Sequence, residues 1–212
     1  MYSCIRRKPP DWLLNTRASS INVAVNILWA VTILDSCGLI TNRDNYDDLC
    51  CVTIGKYLND NSGPDYMNIY RRMQMINTWL IYGVSGKSDR LSQLLLESKK
   101  IVCNGKKHAD ISSVHHLRVA DVLVDMGVKL ENEVMIEGIS FDIFIRESRT
   151  VMEINGIYHY LWMSHVPNGK TIFKERLAEA LGFRMTVVPH WEWNELRTSE
   201  DQQKYLMSLL LK

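Results

Sequence analysis

SFDIFIRESRTVMEINGIYHY, residues 140–160, is the stretch that decides the fold class. Phe141, Ile143 and Ile145 alternate with Asp142 and Phe144, the two-residue period of a strand with distinct faces. Arg146-Glu147-Ser148-Arg149 is a four-residue polar turn, a common hairpin length. In the strand that follows, Val151, Glu153 and Asn155 share one side, and Met152 and Ile154 share the other. Asp142 thus stands inside one strand, with Glu153 and Asn155 two apart on the next. Two carboxylates on neighbouring strands bind a divalent metal or form a polar rim, and the surrounding residues must decide between the two.

The flanks continue the pattern. Ser112-Ser113 caps an expected helix through Met126, with Val119, Val122, Leu123 and Met126 as its buried stripe and Gly127 as its stop. Val128 to Ile136 reads as a strand. After Pro167-Asn168-Gly169, the run Thr171 to Leu181 is helical, with Phe173, Leu177, Ala180 and Leu181 facing inward. Arg184 to Val188 is a strand ended by Pro189, and Ser199 to Leu210 is a last helix, with Asp201 an ordinary first-turn acid. The order is helix, three strands, helix, strand, helix. A strand, crossover helix and strand imply some parallel pairing, so a mixed sheet with helices on its faces is expected.

The first half has no such alternation and reads as all helical. Ser19-Ser20 can cap a helix to about Cys37, with Ile21, Val25, Leu28, Trp29, Thr32 and Ile33 at helical spacing. Further helices are expected at Asp47–Leu58, Tyr66–Ile81 and Leu91–Ser98, with Asn42 to Asp48 a polar connection. Paired helices suggest hairpin repeats of roughly 40 residues, and Met and aromatic residues at helical spacing there read as core. The expected organisation is a helical repeat-like segment (1–100), a basic linker (101–111) and an α/β domain (112–212). Lys99, Lys100, Lys106 and Lys107 crowd the junction, as a solvated linker or as a phosphate-contacting patch.

The chain has 212 residues, 46% of them hydrophobic, and a formal net charge of +1. No domain is strongly basic, so any nucleic-acid binding must use a local patch. The five cysteines, Cys4, Cys37, Cys50, Cys51 and Cys103, form no Cys-x-x-Cys pair or zinc pattern and read as small thiols in a reducing compartment. No apolar run is long enough for a membrane span. MYSCIRRKPP at the start is basic and free of acids, as the end of a mitochondrial presequence or as a frayed basic terminus.

The strand order, with Asp142 and Glu153 on the second and third strands, resembles the PD-(D/E)XK nuclease core. That resemblance implies Mg²⁺ held by Asp142 and Glu153 and metal-assisted phosphodiester hydrolysis. A lysine two residues after the glutamate normally completes the pattern. Asn155 stands there instead, and an amide can donate a hydrogen bond but neither brings positive charge nor titrates. Lys170, Lys174 and His159 are the candidates to replace it, the two lysines lying one helical turn apart.

Longer words narrow the resemblance. MEINGIYHY, NGKTIFKERLAEALGF, VVPHWEWNEL and KYLMSLL, in that order, closely resemble the RAP domain, over roughly Ser112 to Lys212. That domain is abundant in apicomplexans and also ends FAST-kinase-like mitochondrial RNA proteins and organellar RNA factors of algae and plants. The family looks like a relative of very short patch repair endonucleases. NILWAVTIL upstream resembles the helical repeats that precede RAP domains. The resemblance implies a restriction-endonuclease-like α/β domain and RNA binding in mitochondria or plastids. The expectation is a mitochondrial matrix protein acting on rRNA, as a mitoribosome component or as an assembly or processing factor. Its helical half would meet ribosomal or other organellar RNA proteins. An active Mg²⁺-dependent endoribonuclease and a protein-interaction scaffold with a vestigial site stand as alternatives.

The side chains expected to touch RNA lie just past strand ends, where open sheets build sites. Tyr158, His159, Tyr160 and Trp162 follow the third strand, and His190, Trp191 and Trp193 follow the fourth. Their rings could stack unpaired bases, while Lys170, Lys174 and Arg176 pair with phosphates. Trp191 and Trp193 have a second reading, as packing between the sheet and the last helix. His115 and His116, near a helix start, are expected at the surface or in a cap.

Overall fold

The computed structural model describes residues 21–59, 67–102 and 114–211. Two compact units divide between Gly105 and Lys106. The expected cap at Ser19-Ser20, the basic N-terminus and most of the expected linker lie outside the described residues, as do Cys4 and Cys103. Residues 101 and 102 end a helix rather than open a linker.

The first unit is helical: α1 (Ile21–Ser36), α2 (Arg43–Leu58), α3 (Met67–Thr78) and α4 (Asp89–Val102). α1 packs on both α2 and α3, and α4 packs on both α2 and α3, the arrangement of two stacked helical hairpins. Leu28, Ile54, Met73, Ile76, Leu80 and Leu91 fill its core. Buried polar groups cross-link it: the Asp35 carboxylate accepts from Trp79 Nε1 at 2.8 Å and pairs with Arg43, and Asn77 Nδ2 donates to Ser98 Oγ at 2.6 Å. Besides the longer α4, two elements depart from the sequence reading. α2 starts at Arg43, not Asp47, because the Asn42 side chain caps it by accepting from the Asn45 N–H, and Tyr46 has a core to reach. α3 does not run straight to Ile81. It widens into a π turn over Trp79–Gly83, where any Cβ on residue 83 would come within 2.5 Å of the Trp79 ring.

In the second unit α5 (Val114–Asp125) precedes a four-stranded mixed sheet in the order β1 (Glu131–Ile136), β2 (Ile139–Ile145), β3 (Thr150–Asn155), β4 (Arg184–Pro189). β1–β2 and β2–β3 are antiparallel, and β3–β4 are parallel, joined through α6 (Gly169–Ala180). A short α7 (His190–Glu195) and then α8 (Ser199–Leu210) end the chain. The mixed α/β architecture is the one expected. On one face of the sheet Ile143, Ile145, Met152, Ile154 and Val188 pack with Val119 and Leu123 of α5 and Leu206 of α8. Strand alternation sends Glu153 to the opposite face, where it meets Lys174 of α6. β3 is therefore buried along its whole length, as a strand covered on both faces must be.

The four-residue turn between β2 and β3 is present, with Arg149 in the left-handed region at φ 51°. Its guanidinium bonds the carbonyls of Leu181 and Gly182 and lies over Phe183, so the hairpin tip is fastened to the end of α6. His116 is not at the surface. It is buried between α5 and β1, with Nε2 3.2 Å from the Asn132 amide oxygen and Nδ1 3.5 Å from Glu133.

Candidate functional site

The two carboxylates sit where β2 and β3 part. Paired residues between these strands end at Ile143 and Met152. Beyond that point the side chains take over the ladder. Asp142 Oδ2 accepts from the Ile154 N–H at 2.8 Å, and Glu153 Oε1 accepts from the Asp142 N–H at 3.2 Å. Each acid satisfies a backbone donor that the parting strands would otherwise strand in a buried place. Asp142 and Glu153 thus come together where the strands part, a meeting that alternation within each strand left open.

The cation that answers Glu153 is Lys174, from the second turn of α6. Its Nζ lies 2.5 Å from Glu153 Oε2 and over the Phe141 ring at 5.2 Å. Lys170 is one turn earlier and exposed. Of the two lysines left open by the sequence, Lys174 is thus the one that takes the position facing the glutamate. Glu153 is only 2% exposed. Burial pushes its carboxyl up to about 7, and the neighbouring Asp142 adds to the rise, both against the pull of Lys174. His159 is half-buried, and burial together with Lys174 pushes its imidazole below the usual range, favouring the neutral ring.

The pair does not fit a divalent metal site. Both Glu153 oxygens and one Asp142 oxygen already receive hydrogen bonds, and Lys174 occupies the position a cation would take. No group of three His, Cys, Asp or Glu side chains that could hold a metal occurs among the described residues. Asn155 does not act as a substitute lysine either. It is 1% exposed, and neither its amide oxygen nor its nitrogen has a hydrogen-bond partner among the described residues.

Past the strand ends the chain makes a tied loop. Asn155 and Pro189 are register partners at the C-terminal edge of the parallel pair, so the segments after both leave from one place. Residues 157–159 form a 3₁₀ turn, Tyr160 bridges Pro167, and the Leu161 N–H donates to the Val166 carbonyl at 2.8 Å. Asn168 fastens this loop to α6. Its Oδ1 accepts from the Thr171 N–H at 3.0 Å as the N-cap, and its Nδ2 donates to the Tyr158 carbonyl at 2.8 Å. Asn168→Ala is expected to cost about 1 kcal/mol and to speed amide hydrogen exchange across residues 157–168, measured by mass spectrometry.

The predicted aromatic set separates in two. His190 and Trp191 join Tyr160 around the loop: Trp191 stacks on His165 at 3.9 Å and 7° and meets Tyr160 edge-on at 4.4 Å. Trp193, two residues on along α7, points into the core with Leu206 and Tyr205 and is 3% exposed. It has no free face for a base and is removed from the RNA-contacting set. Arg176 also stands apart. It is two residues from Lys174, on another side of α6, and pairs with Glu179 at 3.0 Å. His165, which no spacing singled out, is the ring the sequence reading missed. Only the loop closure between Tyr160 and Pro167 brings it to Trp191.

The RAP domain family model matches residues 152–209, from within β3 to near the end of α8. Among curated proteins, the chain is 28% identical over 100 residues to a RAP domain-containing protein, chloroplastic, of Oryza sativa subsp. japonica. That alignment covers 47% of this chain and 16% of the rice protein.

Proposed function

We propose that this chain, whose residues 152–209 match the RAP domain model, is an organellar RNA-binding protein whose contact face lies where β3 and β4 end and α6 begins. The observation that supports this most is the placement of charge and rings on one edge. Lys174 offsets the buried Glu153, leaving Lys170 exposed beside His159 and next to the aromatic loop. Phosphates would meet Lys170, His159 would contribute a neutral hydrogen bond, and the rings beyond would take unpaired bases.

Binding is favoured over metal-assisted cleavage because the carboxylate oxygens are engaged in holding the parted strands. RNA incubated with the protein and Mg²⁺ is expected to remain intact. The chloroplastic relative makes an organelle the proposed location. Within that, the mitochondrial matrix and an rRNA target in mitoribosome assembly or processing are the finer proposal, with the stacked helices of the first unit meeting protein partners. No helix among the described residues is long and apolar enough to cross a membrane.

The test is the affinity of the full chain for single-stranded RNA at two salt concentrations. Phosphate contacts release counterions, so affinity should fall steeply with salt, and Lys170→Glu should weaken binding about tenfold and flatten the slope. Salt-independent binding, or none, would overturn the proposal.

A further inference from the structure

The cleft beneath the loop has a volume of about 470 Å³, within the size range of small-molecule sites. Trp191, His165, Tyr160, His190, Trp162 and Tyr158 contribute to its walls, and no carboxylate lines it. Two of its lining side chains, and Asn155 outside the lining, hold buried polar atoms with no hydrogen-bond partner among the described residues: His190 Nδ1, the Tyr160 hydroxyl and both ends of the Asn155 amide. The Tyr160 hydroxyl lies beside the Asn155 amide, close enough to oppose the upward push of burial on the phenol, but without hydrogen-bond geometry between them. Leaving such atoms unpaired is costly, and their clustering at the end of a parallel strand pair points to a ligand with its own donors and acceptors. The walls add a second requirement. Trp191 and His165 are already parallel and in contact, the arrangement of stacked bases, and Trp162 stands 90% exposed at the loop tip.

We propose that this cleft receives one unstacked nucleobase of the bound RNA. The base stacks against the Trp191–His165 rings, and its edge is met by His190 and by Tyr160 backed by Asn155. A flat ring with hydrogen-bonding edges satisfies both requirements, whereas an apolar peptide side chain would leave the polar atoms unpaired. Lys170, at the start of the helix that the loop leads into, then lies where the flanking phosphates run. The assignment rests on the RNA-binding reading, and it adds that one nucleotide is held far more strongly than its neighbours.

The experiment uses the intact chain and a mixed-sequence single-stranded RNA of about 12 nucleotides, the span of a single-strand binding site. Each nucleotide in turn is replaced by an abasic one. One position should lose about tenfold in affinity on removal of its base, with much smaller losses elsewhere. Trp191→Ala should flatten that profile while retaining salt-dependent binding. Trp162→Ala, at an exposed position that leaves the fold intact, should reduce the peak. A flat profile in the wild type, with RNA still bound, would overturn the pocket and leave the RNA reading standing. Failure to bind any RNA would overturn both. An unchanged profile in both tryptophan variants would place the preferred nucleotide outside this cleft and overturn the pocket.

Discussion

Lys174→Ala is expected to lower the stability of the second unit by about 1 kcal/mol near pH 5 and by about 2 kcal/mol near pH 8, since Glu153 ionises at about 7 and one pH unit above that adds roughly 1.4 kcal/mol. The difference follows from Glu153. Buried at 2% exposure, it ionises at about 7 in the fold against an ordinary 4.5. At low pH it is neutral, and losing the lysine removes one hydrogen bond and the contact with the Phe141 ring. Near pH 8 it is charged in the wild type, and without the lysine it takes up a proton, at the cost of about one pH unit above its ionisation at about 7. The wild type carries the same signature with the opposite partner intact. An acid whose ionisation is raised by folding contributes its full stability below the ordinary value. That contribution is lost as pH rises through the window from 4.5 to about 7, a decline of roughly 3 kcal/mol. Glu153→Gln keeps the acceptor for the Asp142 N–H and should be flat across that window. Urea denaturation at a series of pH values reads all three chains.

Trp193→Ala is expected to cost about 3–5 kcal/mol, against about 1 kcal/mol for Trp191→Ala. The two tryptophans are two residues apart on α7 and do different work. Trp193 fills the space between the sheet and α8 beside Leu206, so truncation leaves a cavity. Trp191 meets rings of a surface loop, which can rearrange. The functional order is reversed: Trp191→Ala should weaken RNA binding about tenfold, while Trp193→Phe, which keeps most of the volume, should leave it unchanged. A loss of affinity in Trp193→Phe at full folding would contradict the division.

The hairpin was legible because its chemistry is local. Two-residue alternation, a polar turn and the side shared by Val151, Glu153 and Asn155 all follow from adjacent letters, and they place the two acids on neighbouring strands of one hairpin. What these acids do was not legible. Whether Glu153 holds a metal or a lysine depends on which lysine of α6 descends onto β3, and 170 and 174 are equivalent by spacing alone. Asn155 lay in the same blind spot, since its isolation is a property of burial from both faces. Short elements were missed for a related reason. α7 has six residues behind a proline, too few for a periodic stripe, and the 3₁₀ turn with the loop closure has none. His116 read as a surface or capping residue near a helix start. Its partners, Asn132 and Glu133, arrive from a strand that the helix does not announce. The early start of α2 depended on Asn42 turning its side chain inward as a cap, one of several roles open to an asparagine in a polar run.

The central claim is that RNA lies across the edge where β3 and β4 end. Photocross-linking of the intact chain to a thiouridine-containing single-stranded RNA, followed by peptide mapping, addresses it directly. Cross-linked peptides should fall in residues 157–174 and at His190 or Trp191. Cross-links confined to the helices of residues 21–102 would contradict it.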